Sequence, residues 1–314
     1  MRVLVTGGAG FIASHIVDEL IDLNHDVCII DNLSSGSRKN INTEARFYKC
    51  DIKEVDKLKL IFEVERPEVV IHHAAQIDVQ TSFEKPAFDA ESNIVGTINI
   101  LECCREFGIR KIIYPSSAAV YGDPKYLPVD EDHLSNPISF YGISKHTPEH
   151  YIKTYALIYG LKYTIFRYSN VYGIRQDPKG EGGVVSIFVD KLLNNETAFI
   201  FGDGKQTRDF IYVKDIVKAN MLALCKGDNE LLNISTGRPI TVNELFKVMK
   251  CAAKSKVDVL YKEARKGDIL HSYLDNKRAK EELGWEAEYA IADGIVETMQ
   301  YYMELSKANI EATA

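Results

Sequence analysis

Residues 1–31 read MRVLVTGGAGFIASHIVDELIDLNHDVCIID, and this stretch decides the fold. Val3–Thr6 is a short apolar run, Gly7-Gly8-Ala9-Gly10 a glycine turn, Phe11–Leu23 a segment of helical periodicity, and Asp26–Asp31 a second apolar run. Strand, tight turn, helix and strand in that order open a parallel βαβ unit. Glycines at such a turn let the backbone bend sharply and let a pyrophosphate approach the positive end of the helix. A glycine turn can also occur with no ligand; the strand before it and the helix after it favour the ligand. Asp31 closes the next strand 21 residues beyond Gly10. A carboxylate there accepts hydrogen bonds from ribose hydroxyls and repels a 2′-phosphate, and Asn32-Leu33 offers no compensating arginine, so NAD is expected over NADP. Ala13 stands where the pattern has its third glycine, a substitution that helix–sheet packing tolerates.

Outward from this unit the first half keeps alternating. Phe47–Cys50, Val69–His73, Lys111–Ser116 and Tyr163–Arg167 read as strands, with Lys57–Glu65, Ala87–Phe107 and Tyr141–Tyr159 as helices. Strands this apolar, separated by helices, predict a doubly wound, Rossmann-type α/β fold whose parallel sheet is covered on both faces. Beyond Arg167 the pattern loosens into a smaller C-terminal α/β substrate domain. It has helices at Val184–Asn194, Val242–Lys254 and Ala290–Leu305, strands at Ala198–Phe201, Asp209–Val213 and Leu232–Ile234, and frayed residues Ser306–Ala314. The expected division is a dinucleotide-binding domain over 1–169 and a second domain over 170–314, with about 209–235 returning to the first.

Composition narrows the partners. A length of 314 residues with 46% apolar and 26% charged content fits a globular chain with a sizeable core. A net charge of −7 argues against nucleic acid, which requires a basic face. Cysteines 28, 50, 103, 104, 225 and 251 form no Cys-x-x-Cys pair and read as reduced, buried thiols rather than disulfides or a zinc site. His72 and His73 point to opposite faces of a strand, a poor metal pair, and no metal is expected. The first strand begins at Met1 with no leader ahead of it, and no apolar run approaches a membrane span, so a cytoplasmic chain without a membrane partner is expected.

The chemistry concentrates in two segments. Tyr141-Gly-Ile-Ser-Lys145 opens a helix, placing a phenol and an ammonium one turn apart on one face. A phenol of pKa about 10 needs about 4 kcal/mol of differential stabilisation to ionise near neutrality. One cation at about 4 Å, in an effective dielectric of about 20, supplies energy of that order. Taken alone such a pair is most often a surface contact; the glycine turn upstream changes the reading. Ser116-Ser117 ends a strand, where a hydroxyl can hold a substrate oxygen and share a proton with the tyrosine, although serines there also cap and turn chains. Asp51, after the third strand, is placed to meet an adenine or to cap the following helix. Small residues at Ala74-Ala75 leave room for a cofactor.

Thr6–His15 (TGGAGFIASH), Ser116–Gly122 (SSAAVYG), Tyr141–Lys145, Arg167–Gly173 (RYSNVYG) and Gly202–Asp215 (GDGKQTRDFIYVKD) together resemble the extended short-chain dehydrogenase/reductase family, within it the nucleotide-sugar epimerases. The resemblance runs from residue 1 to about 305. It implies a triad of Ser117, Tyr141 and Lys145. Cofactor contacts are implied at Gly7, Gly10, Phe11, Ile12, Asp31, Asn32, Asp51, Ile52, Ala74, Asn93, Ser116, Tyr141, Lys145 and Tyr168. Substrate contacts are implied at Ser117, Tyr141, Asn170, Arg208, Arg265, Asp268 and Ser272. Arginine forks suit a diphosphate and Asp268 suits ribose hydroxyls, while Arg208 could also pair with Asp203 or Asp209. Related dehydratases and decarboxylases carry carboxyls just after the triad hydroxyl; here Ala118 and Ala119 can move no proton. What remains is chemistry needing only the triad and NAD, and within it the resemblance implies the 4-epimerisation of a UDP-hexose such as UDP-glucose or UDP-galactose.

Ser272 falls at the family position that limits room beside the sugar's carbon 2. A small residue there implies that UDP-N-acetylglucosamine is accepted as well, unless a loop of different length fills the space. A homodimer through a four-helix contact is also implied. Pro148, three residues past Lys145, lacks a backbone donor and predicts a bend or a late helix start. Other readings stay open: a different nucleotide-sugar epimerase, a net reductase that would release NADH, a non-catalytic NAD sensor, and a purely structural protein.

Overall fold

The computed structural model describes residues 1–177, 183–264 and 269–313. Fourteen strands run in order through the described residues: β1 (Arg2–Thr6), β2 (Asp26–Asp31), β3 (Arg46–Lys49), β4 (Val69–His72), β5 (Lys111–Ser117), β6 (Lys162–Tyr168), β7 (Asn170–Tyr172), β8 (Ala198–Phe201), β9 (Thr207–Arg208), β10 (Phe210–Tyr212), β11 (Glu230–Ile234), β12 (Ile240–Thr241), β13 (Val259–Lys262) and β14 (His271–Ser272). The α-helices are α1 (Phe11–Asp22), α2 (Val55–Glu65), α3 (Val79–Glu84), α4 (Pro86–Ala90), α5 (Gly96–Glu106), α6 (Phe140–Tyr159), α7 (Val184–Leu193), α8 (Val213–Ala223), α9 (Val242–Ala252), α10 (Lys277–Leu283) and α11 (Ile291–Thr313).

Seven strands form one sheet in the order β11-β6-β5-β4-β1-β2-β3, every pairing parallel. This is the doubly wound arrangement expected from the alternating runs. The period of two explains why both faces are apolar. Val3, Val5, Val27, Ile29, Val69 and Ile71 enter the core beneath α1 and α8. Leu4, Cys28, Ile30, Val70 and Ile112 enter the opposite core, which also takes Leu58 of α2, Leu101 of α5 and Ile152 of α6. A strand with polar alternation could not be buried in this way. The sequence order reverses between β1 and β4, so a crevice opens beyond their carboxyl ends.

The segment 209–235 divides its loyalties. β10 pairs with β7 in a separate two-stranded sheet, whereas α8 packs on α1 and β11 forms an edge of the large sheet. A third core, around Phe188, Phe210, Leu245, Met249 and Ile295, gathers α7, α9 and α11. α9 begins with a capping box, in which Thr241 accepts from the Glu244 amide and Glu244 accepts from Thr241.

Several elements depart from the sequence expectations. The helix expected over Ala87–Phe107 is α4, a π turn at Glu91–Val95, and α5. α6 begins on time, at Phe140, because the Ser139 hydroxyl accepts from the Gly142 amide, and it runs through Pro148 to the left-handed Gly160. The late start expected from Pro148 does not occur. Val213 opens α8 instead of ending a strand, and α11 continues through the stretch expected to fray, as far as Thr313. All six thiols are free; Cys28, Cys50, Cys103 and Cys104 are buried, but Cys225 and Cys251 are exposed, against the expectation that all six lie inside. Most of the polar loop 177–183 lies outside the described residues.

Candidate active site

The crevice at the switch point is a cleft of about 690 Å³, within the range of small-molecule sites. Its floor is the β1–α1 turn. Gly7 has φ +70°, and a Cβ built there would lie 2.7 Å from the Ala74 amide nitrogen, so only glycine lets the end of β4 pass this close. Gly10 is the N-cap of α1 and offers no side-chain acceptor to the first turn. Those amides remain available to an anion. Phe11 and Ile12 line the wall beside them.

Asp31 sits at the end of β2, almost fully buried, with Oδ2 accepting from the Ala9 amide at 3.0 Å and Oδ1 from the Leu33 amide at 2.7 Å. Burial raises its pKa, and these two amide bonds oppose the rise. Both carboxylate oxygens keep lone pairs for ribose hydroxyls. Asn32 donates to Asp51 Oδ2 at 3.0 Å, while Asp51 Oδ1 accepts from the Lys53 amide. The N-cap of α2 is Glu54, so Asp51 does not serve as the helix cap. Asp51 and Ile52 line the cleft with Ser34, Ser35 and Gly36.

The opposite wall carries Ser116, Ser117, Tyr141, Lys145 and Tyr168. Ser117 terminates β5, and its hydroxyl accepts from the Ala119 amide at 3.2 Å, which turns the chain at once into a short 3-10 segment over Ala118–Val120. Lys145 is buried with Nζ 4.6 Å from the centre of the Tyr114 ring. Burial pulls its pKa down to about 7, while the Glu149 and Asp89 carboxylates pull it up. Tyr168 accepts from Asn220 Nδ2 at 2.8 Å and lies beside the His73 ring. His72 is held between Thr6 Oγ1 and Thr97 Oγ1, and burial lowers the pKa of both histidines to about 3, so both are neutral. Among the described residues no cluster could hold a metal ion.

Two implied residues are engaged elsewhere. Asn93, on the π turn, does not line the cleft. It accepts from the Gln76 amide at 2.7 Å and donates to the Gln76 carbonyl and to Ser144 Oγ, so it holds the Gln76 loop from behind. Ser116 lines the cleft, but its hydroxyl is donated to Glu149 at 2.6 Å.

Of the implied substrate residues on the C-terminal side, Arg208 and Ser272 share one small sheet and Asn170 lies on β7 of another, and none of the three is among the residues that line the cleft. Arg208 of β9 is in register with Ser272 of β14, and the Asn170 amide donates to the Asp209 carbonyl. Of the two acidic residues that the sequence offered to Arg208, Asp209 accepts from the Thr236 and Gly237 amides, and Asp203 pairs with Lys205. Arg208 Nη1 donates to the Thr207 carbonyl at 2.9 Å. Arg265 and Asp268 lie outside the described residues. The sequence reading missed His73, Gln76, Ser34–Gly36, Ser169 and Gln176, all of which line the cleft. Their signal was positional, since each follows the carboxyl end of a strand.

A doubly wound sheet with a glycine turn, an acidic residue ending β2 and a Ser/Tyr/Lys wall defines a nucleotide-cofactor enzyme. The comparisons with known proteins agree. The model of the NAD dependent epimerase/dehydratase family matches residues 3–235, and the chain belongs to that family. NAD is its cofactor, and the uncapped amides of α1 with the free lone pairs of Asp31 fit it. A UDP-glucose 4-epimerase of Mycolicibacterium smegmatis is 41% identical over 98% of this chain and 100% of its own length. The crystal structure of a UDP-glucose 4-epimerase with UDP-glucose from Thermotoga maritima has a TM-score of 0.96 at 47% identity, covering 98% of this chain and 100% of that one. A UDP-N-acetylglucosamine 4-epimerase from Methanobrevibacter ruminantium, in complex with UDP-N-acetylmuramic acid, has a TM-score of 0.92 at 37% identity over 97% and 98% of the two chains.

Proposed function

We propose that the chain is a UDP-hexose 4-epimerase that inverts carbon 4 through a transient 4-keto sugar. The observation that carries this reading is one cleft lined by the glycine turn, Asp31, Ser117, Tyr141 and Lys145, with the carboxyl-free Ala118 and Ala119 following the serine. NAD, held by the glycine turn and Asp31, would supply a reversible hydride acceptor for carbon 4. Tyr141 takes the proton of the 4-hydroxyl as the carbonyl forms and returns it when the other face is presented. Ser117 holds the sugar oxygen, and Lys145 lowers the cost of the Tyr141 phenolate. Asn170, Arg208, Arg265 and Asp268 hold the UDP while the hexose turns about the diphosphate. The glycine turn and Asp31 would retain NAD between turnovers, since the reaction would leave it in its starting oxidation state.

Ser272, small and in register with Arg208, supports acceptance of an acetamido group at carbon 2, and the similarity to a UDP-N-acetylglucosamine 4-epimerase points the same way. Phe140, Ile143, Tyr151 and Ile158 are exposed along one side of α6 at helical spacing, which supports a homodimer built on α5 and α6.

The test is to incubate the purified protein with UDP-glucose and, separately, with UDP-N-acetylglucosamine, adding no NAD, and to resolve the nucleotide sugars. Interconversion with the 4-epimers is expected in both. Accumulation of free NADH with an oxidised sugar would overturn the epimerase reading in favour of a net oxidoreductase.

A further inference from the structure

Outside the residues that line the cleft, the buried ion pair Glu149–Arg167 touches each element that carries the chemistry. Glu149 lies one turn after Lys145 on α6 and is 1% exposed. Its Oε1 accepts from Ser116 Oγ at 2.6 Å and Arg167 Nε at 3.0 Å, and its Oε2 from Arg167 Nη2 at 2.6 Å. Ser116 directly precedes Ser117 at the end of β5, and Arg167 directly precedes Tyr168 at the end of β6. Arg167 also donates to Ser135 Oγ at 3.1 Å and lies 4.6 Å over the Tyr121 ring. The Lys145 carbonyl accepts from Tyr114 Oη at 3.3 Å. A buried charged pair adds little net stability over an apolar filling of similar volume, so its position is the informative property.

We propose that Glu149 is a positioning residue of this site: its carboxylate clamps the ends of β5 and β6 to α6, fixes the spacing of Ser117, Tyr141 and Lys145, and holds a negative charge one turn from the Lys145 ammonium. The proposal rests on the reading of those three residues as the reacting groups.

The surroundings determine the sign of the effect. Lys145 faces Asp89 from α4, Tyr114 from β5, and the neutral His72 and His73 at the end of β4. Glu149 faces Arg167 from β6, with His146 at 3.9 Å and Lys153 on its own helix. Burial already draws Lys145 down to about 7. Neutralising Glu149 removes one opposing charge and leaves Arg167 uncompensated, and both changes push Lys145 further towards the free amine.

The test uses the NAD-loaded protein with Glu149→Gln and, because a lone buried guanidinium can prevent folding, the double variant Glu149→Met/Arg167→Met. Lysine labelled with carbon-13 at Cε reports the Lys145 titration without any sugar, assigned by its loss in Lys145→Met. In Glu149→Gln the Lys145 titration moves down by about one pH unit, and the alkaline limb of kcat/KM moves with it. In both variants kcat falls by about tenfold or more while KM for the UDP-sugar stays within about twofold. An unmoved Lys145 titration in Glu149→Gln, or wild-type kcat in the folded double variant, would overturn the proposal. A wild-type protein inert towards UDP-sugars sinks the functional reading instead, and the sugar-free titration still decides the role of Glu149.

Discussion

At the scale of single residues, the two wings of the cleft make different demands. Tyr141 is legible because a phenol and an ammonium four positions apart share a helix face in a chain that opens with the dinucleotide glycine turn, and the structure adds the burial of Lys145. Tyr141→Phe should keep NAD and the fold but cut kcat by about a thousandfold, measured by product formation from UDP-glucose. Near-normal turnover would remove the phenol from the proton path. Ser272→Tyr should lower kcat/KM for UDP-N-acetylglucosamine by about a hundredfold and leave UDP-glucose within a few-fold, since a bulky ring beside carbon 2 collides only with the acetamido group. Equal losses on both sugars would contradict the assignment. Glu149 and Asn93 illustrate what sequence could not resolve. Both work through hydrogen bonds to residues more than fifteen positions away, and no local pattern encodes such a partner.

At the scale of elements, the β1–α1 turn was readable because glycine has a steric reason to be there. Gly7→Ala would force a side chain into a left-handed backbone and against the Ala74 amide, costing about 1–3 kcal/mol. The expected outcome is protein purified without NAD, with thermal unfolding several degrees lower. NAD retained at full occupancy would mean that the turn relaxes freely. The apolar strands were equally plain, since a sheet buried on both faces leaves little choice of residue. The short elements were not. β9, β12 and β14 are two residues each, too short for any periodicity, and they exist because their backbones find partners in tertiary structure. Pro148 misled in the other direction. It forfeits one hydrogen bond, but the Ser139 cap and the packing of Ile152 hold α6 as one helix.

At the scale of the whole molecule, the acidic chain carries two neutral histidines where β4 ends, and this sets its response to acid. His72 and His73 have folded pKa values near 3, below the ordinary 6.5 they regain on unfolding. The unfolded chain therefore binds more protons below pH 6.5, and each histidine withdraws up to about 1.4 kcal/mol of stability per pH unit as pH falls from 6.5 towards 3. Denaturant unfolding across that window should show the loss, and a His72→Gln variant should show a shallower slope; parallel slopes would contradict it. If the exposed stripe on α6 forms the proposed homodimer interface, the protein sediments as a dimer and Tyr151→Arg as a monomer; a monomeric wild type, or a dimer unchanged by the substitution, would contradict that interface. The central claim, that one cleft removes hydride from carbon 4 and returns it to the same carbon, is tested most directly with UDP-glucose deuterated at carbon 4. The account predicts UDP-galactose with the label still at carbon 4 and no deuterium acquired there when unlabelled sugar reacts in heavy water. Label lost to solvent, or solvent deuterium entering carbon 4, would contradict it.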